Sequence, residues 1–125
     1  MRPSGPLDRP EEIAGAALEG LVAQHLRAWI DYTDPRFTLS FWRTRSGAEV
    51  DFVVYGPEGL WAIEVKHAGA ARPKDLRALK TFKEDYPDAR LRFLYRGAER
   101  LEIDGIPCWP CAEYLARIVP GRELP

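Results

Sequence analysis

The run Ala48-Glu49-Val50-Asp51-Phe52-Val53-Val54-Tyr55-Gly56-Pro57-Glu58-Gly59-Leu60-Trp61-Ala62-Ile63-Glu64-Val65-Lys66 decides the fold. It contains two β-rich segments, 48–55 and 59–66, in which charges interrupt apolar residues at period two. Gly56-Pro57-Glu58-Gly59 between them makes a hairpin the natural connection. With an even-length loop, position i on one strand faces position 115 − i on the other. Asp51 then faces Glu64, and Glu49 faces Lys66. The apolar positions favour this choice, because Val50, Phe52 and Val54 then share a face with Trp61, Ile63 and Val65. An odd loop would turn Asp51 to the other side.

Carboxylates placed opposite each other have Cβ atoms roughly 5 Å apart, and like charges so placed destabilise a sheet. A divalent cation is the natural compensation, since hard oxygen ligands suit Mg²⁺. Glu64 and Lys66, two apart on one strand, point to the same face. An acid pair holding a metal, with an ammonium beside it, makes a workable site for phosphodiester hydrolysis. The metal polarises the phosphate and lowers the pKa of a water, and the lysine stabilises developing charge or positions that water. The plain alternative is a solvated strand face on which Lys66 pairs with Glu49 or Glu64.

Working outward, Pro10 to Asp31 reads as a helix with Ile13, Ala14, Ala17, Leu18, Leu21, Val22, Leu26, Trp29 and Ile30 on a broad apolar face. Asp8, Pro10 and Glu11 resemble a capping box with proline in the first turn. Asp34-Pro35 ends that helix. Phe37 to Arg43 reads as a first strand, Lys74 to Tyr86 as a second helix, and Leu91 to Tyr95 as a strand. Leu101 to Cys108 reads as one further strand and Ala112 to Ile118 as a last helix. The expectation is an α/β fold with α-β-β-β-α-β order, a mixed central sheet and flanking helices. Residues 1–9 read as an entry segment, 10–119 as the domain and 120–125 as a tail.

At 125 residues this is one domain, able to bury roughly two-thirds of its unfolded surface. No apolar run approaches the length of a membrane span, and no secretory signal is evident, so the cytoplasm is the default compartment. Lys and Arg number 18 against 19 acids. A free-standing nucleic-acid binder usually carries a basic surplus, so any such contact must rely on a local patch. No phosphate-cradling Gly-x-x-x-x-Gly-Lys-Ser/Thr loop is present, which excludes a P-loop ATPase.

Glu19 lies in the first helix among Gly15, Ala16, Gly20 and Ala23, small neighbours that let another element approach closely. It is either a helix-surface glutamate or a carboxylate facing a polar site. Glu19 in the first helix, Asp51 in the second strand and Glu64-Val65-Lys66 in the third together resemble the PD-(D/E)XK nuclease superfamily. More narrowly, Gly15-Ala16-Ala17-Leu18-Glu19, Phe41-Trp42-Arg43, Gly47-Ala48-Glu49-Val50-Asp51-Phe52 and Ile63-Glu64-Val65-Lys66 resemble one branch of it. That branch is the C-terminal nuclease-like domain of a large family of prokaryotic AAA+ type ATPases, long designated a domain of unknown function.

The resemblance runs from about residue 10 to 118 and implies a restriction-endonuclease-like core. It implies Mg²⁺ or Mn²⁺ on Asp51 and Glu64, helped by the Val65 carbonyl, with Glu19 a further ligand, direct or through water. Lys66 becomes the catalytic lysine, DNA (branched or single-stranded forms included) the substrate, and an AAA+ ATPase the partner. A homodimer would suit an enzyme that must cut two strands. The ATPase and winged-helix parts of such proteins are not in this sequence, and the superfamily includes members that have lost catalysis.

Among the cations, Arg43, Arg45, Arg72 and Lys74 are the candidates for holding a phosphate backbone, Arg43 first through its place in the resemblance. For Arg77, Lys80 and Lys83 a solvated helix face is the simpler reading. Cys108-Trp109-Pro110-Cys111 has the strand, C-x-x-C, helix context of a thiol-disulfide site, but lacks an early βαβ setting. His25 and His67 do not stand at zinc-finger spacing from these cysteines. His67 adjoins Lys66 and could line the cleft. The rivals to a nuclease are therefore a catalytically silent module that binds DNA or docks an ATPase, and a thiol-disulfide protein.

Overall fold

The computed structural model describes residues 10–125, with side chains from residue 14 onward. The Asp8–Glu11 capping box lies outside the described residues. Helix α1 spans Pro10–Thr33, and strands β1 (Thr38–Arg43), β2 (Glu49–Gly56) and β3 (Gly59–Val65) follow as an antiparallel meander. A 3₁₀ turn, Pro73–Leu76, runs into α2 (Arg77–Asp85). This crossover returns the chain to β4 (Arg90–Tyr95), which lies parallel to β3. Then come β5 (Leu101–Ile103), β6 (Ile106–Pro110) and α3 (Cys111–Ala116), and the six strands form one mixed sheet in the order β1-β2-β3-β4-β6-β5. The α/β class is as expected.

Strands β3 and β4 run through the middle and are covered on both faces, so Trp61-Ala62-Ile63 and Phe93-Leu94-Tyr95 are continuous buried runs rather than alternating ones. On one face Val22, Leu26 and Trp29 of α1 and Tyr114 and Leu115 of α3 pack on Val54, Trp61 and Ile63. On the other, Leu79 and Phe82 of α2, with Leu76 before them, pack on Val53, Ala62, Phe93 and Tyr95. Trp29, Phe37 and Trp61 meet edge-on or tilted, with centroids 5.0–6.3 Å apart.

The apolar face of α1 is narrower than its sequence suggests. Leu18, Val22, Leu26, Trp29 and Ile30 pack inward, while Ala17 is exposed and Leu21 is 44% exposed. A helix of 24 residues is about 36 Å long, and a seven-residue strand only about 23 Å. The sheet therefore cannot cover the whole of it, and among the described side chains the buried stripe keeps to i, i+4 and i+3 spacing; that of Ile13 lies outside them.

Two further differences concern the C-terminal third. The stretch read as one strand, 101–108, is a hairpin, because Asp104 (φ 52°) and Gly105 (φ 80°) both turn left-handed. That pair of angles is the two-residue connection Asp-Gly favours. Residues 120–125 pack onto the domain: Leu124 is buried, Trp29 Nε1 donates to the Arg122 carbonyl at 2.7 Å, and Gly121 N donates to Thr33 Oγ1 at 2.9 Å.

Gly105 has open space around its missing side chain, so only its backbone angle matters. Gly105→Val should lower unfolding free energy by about 1–3 kcal/mol in urea denaturation. Gly20→Ala, in open space within α1, should raise it by roughly 0.5–1 kcal/mol. A gain in Gly105→Val would contradict the first assignment, and a loss in Gly20→Ala the second.

Candidate functional site

The pairs Phe52↔Ile63, Val53↔Ala62, Val54↔Trp61, Tyr55↔Leu60 and Gly56↔Gly59 all follow the expected 115 − i register. Neither Pro57 nor Glu58 adopts positive φ, so the turn is not of the primed type. Its flanking glycines serve close packing instead, since a Cβ at Gly56 would enter the Phe37 ring and one at Gly59 would press on Trp61.

Regular pairing stops at Phe52↔Ile63. The cause is on the other side of β2. Ser40 pairs with Val53 and Trp42 with Val50, so three steps along β2 match two along β1. The extra residue falls at Asp51–Phe52, a bulge that re-aims the side chain there. Val50 consequently does not share a face with Phe52 and Val54, as simple alternation required. It packs with Val53 and the α2 side, while Phe52 and Val54 face α1. Counting from the turn, Val65 N–H would bond to the Val50 backbone; it donates to Asp51 Oδ2 at 2.9 Å instead. A side chain replaces a rung of the ladder and is held there.

Glu64 is half-buried at the end of β3. Burial, then the negative charges of Asp51, Glu19, Glu49 and Asp75, push its carboxyl up to about 8. Burial also raises Asp51, against the Val65 N–H bond and with help from Glu49. Glu19 stands on the exposed side of α1, yet partial burial and the Asp51 charge raise its carboxyl as well. The helix crosses the sheet end here: a Cβ at Gly15 would lie 3.9 Å from His67 Cβ, and Glu19 follows about one turn later. Three carboxyl groups from α1, β2 and β3 thus feel one another. Among the described residues, no three or more His, Cys, Asp or Glu side chains gather into a group that could hold a metal ion.

Lys66 does not pair with Glu49 or Glu64. Its backbone N–H donates to Leu94 O at 2.9 Å, joining it to β4, and its Nζ lies 2.6 Å from Asp75 Oδ1. Glu49 pairs with Arg43 Nε at 3.0 Å. Asp75 was missed by reading the 72–77 segment for its cations alone. The available signal was an acid three residues after Arg72 at a Pro-initiated turn, where Asp75 Oδ2 accepts the Arg72 N–H at 3.0 Å. Burial works against the Asp75 carboxylate, but the Lys66 and Arg72 hydrogen bonds and the Lys66 and Lys74 charges hold it below its ordinary value.

Arg43, Arg45, Arg72 and Lys74 are all exposed; Arg43 also lies over the Phe41 ring, 5.3 Å from its centroid. Lys80 pairs with Asp104 and Lys83 donates to Ala89 O at 2.9 Å. The two cysteines are free and buried, Cys108 in the α2-side core and Cys111 in the α1-side core. Burial raises both thiols, the reverse of what a reactive thiolate needs.

The profile of a protein family described as a domain of unknown function (DUF4143) matches residues 14–114, and the chain belongs to that family. Such domains are commonly found with AAA-type ATPases. No curated protein matches the chain. Among the described residues no helix is long and apolar enough to cross a membrane.

The folded protein holds the Glu64 proton more tightly than the unfolded chain does. The Glu64 contribution to stability without metal should therefore be full at pH 4.5 and below and be lost as pH rises through about 8. Glu64→Gln removes that slope. Urea denaturation in EDTA should show the variant more stable than wild type by about 1–3 kcal/mol at alkaline pH, and nearly equal to it in acid. Parallel pH profiles would contradict the burial and crowding of this carboxyl.

Proposed function

We propose that this domain is a metal-dependent nuclease with a restriction-endonuclease-like PD-(D/E)XK core, hydrolysing DNA phosphodiester bonds in association with an AAA+ type ATPase. The observation that supports it most is the bulge at Asp51, which holds that carboxylate by a 2.9 Å bond from Val65 N–H next to Glu64, with Lys66 two residues on. A fold has no structural need to crowd Glu64 among negative charges until its carboxyl rises to about 8. Perturbation by burial together with specific charge partners is a mark of functional sites.

The donor set fits Mg²⁺ or Mn²⁺. Asp51 and Glu64, with the Val65 carbonyl, would hold the ion, and Glu19 would add negative charge or a water-mediated contact. Two carboxylates suffice for Mg²⁺, which keeps several of its waters. When bound, the ion would polarise the scissile phosphate and make a water a competent nucleophile. The chain's own residues do the rest. Lys66 offers an ammonium for the charge that builds on the phosphate oxygens. Arg43, Arg45, Arg72 and Lys74 offer exposed cations for flanking phosphates. Among the described residues no three His, Cys, Asp or Glu side chains form a group that could hold a metal ion, which favours the competing reading, a catalytically silent DNA-binding or ATPase-docking module of the same fold.

Titration calorimetry with Mn²⁺ separates the two. The wild type should bind the ion and Asp51→Ala should not; no heat from either would favour the silent module. Cleavage of single-stranded, nicked or branched DNA should then fall by roughly 10²–10³ in Lys66→Ala. Undiminished cleavage in that variant would remove Lys66 from the chemistry.

A further inference from the structure

Lysine carries its charge on a flexible four-carbon stem, and nothing in β3 itself dictates where the Lys66 ammonium rests. Its nearest attraction along the strand is Glu64, on the same face and crowded by negative neighbours. Yet the described residues give Lys66 one ion pair, to Asp75. That carboxylate is anchored on both sides: Oδ1 accepts from Lys66 Nζ at 2.6 Å and Oδ2 from Arg72 N–H at 3.0 Å. The Asp75 backbone N–H returns a bond to Arg72 O at 2.9 Å. The Asp75 side chain is 7% exposed, whereas that of Lys66 is 45% exposed. The less exposed, doubly bonded partner fixes the more exposed one.

We infer that Asp75 is a positioning residue: it holds the Lys66 ammonium at the rim of the acidic cluster and so keeps Asp51 and Glu64 available to a divalent cation. The inference rests on the metal-site reading above. Without the Asp75 charge, Lys66 swings onto Glu64 and Asp51 and competes with the ion for their oxygens. With it, the ammonium spends one of its three N–H donors on Asp75 and keeps two for a substrate oxygen.

Mn²⁺ calorimetry on the full chain tests this in a double-mutant cycle of wild type, Asp75→Asn, Lys66→Met and the double variant. Asparagine retains an acceptor for the Arg72 N–H, so the start of the 3₁₀ turn survives, and circular dichroism checks the fold. Asp75→Asn should weaken Mn²⁺ binding about fivefold. On the Lys66→Met background the same change should weaken it by less than about twofold. Unchanged binding in Asp75→Asn would overturn the role. So would an equal loss on both backgrounds, since Asp75 would then act on the ion without Lys66. Failure of the wild type to bind Mn²⁺ is a separate outcome; it overturns the metal-site reading and this role with it.

Discussion

One hydrogen bond organises the acidic end of this domain: Val65 N–H donating to the Asp51 carboxylate. A backbone N–H beneath a packed helix must find an acceptor. The regular hairpin would supply the Val50 carbonyl. The bulge between β1 and β2 withdraws it, and the Asp51 side chain takes its place. There the β2–β3 pairing ends, while β2 stays paired with β1 and β3 with β4, and the Asp51 carboxylate is fixed beside Glu64's own strand. A local irregularity in an otherwise simple meander thus brings acidic side chains within each other's influence where regular β2–β3 pairing would have continued.

Glu64 sits among like charges and, among the described residues, is in no ion pair of its own. The charges of Asp51, Glu19, Glu49 and Asp75 act on it, and the Lys66 ammonium is paired with Asp75. Elsewhere the domain pairs its charges in ordinary ways, as Arg36 with Asp34 and Arg100 with Glu113. Strain left at one place in a well-packed fold is the pattern functional sites show, because stability elsewhere offsets it. Here the packed faces on both sides of β3 and β4 provide that stability, and the sheet's central strand can carry an acid at its end without losing its register.

Much of this was legible in the chain. The hairpin register followed from the alternation of Val54, Trp61 and Ile63 about Gly56-Pro57-Glu58-Gly59, and that alone brought Asp51 toward Glu64. The bulge was not legible, since it depends on how β1 lies against β2 rather than on either strand. Simple alternation accordingly puts Val50 on the wrong face and matches Glu49 with Lys66 across a ladder that ends before reaching them. Asp104-Gly105 carried a strong turn signal that an apolar reading of 101–108 passed over. The burial of Leu124 had no such signal: one leucine in a short polar segment says nothing about a groove formed by distant elements. Asp75 is intermediate, recognisable as a helix-start acid but not as the partner of Lys66, which the fold alone brings near.

Anomalous diffraction from a crystal soaked in Mn²⁺ is the most direct measurement of whether these carboxylates form an ion site. A single strong peak is expected between Asp51 and Glu64, at about 2 Å from an oxygen of each, the spacing hard divalent cations take to oxygen ligands. A crystal with the manganese signal elsewhere, or with those two side chains directed to opposite sides of the sheet, would contradict it.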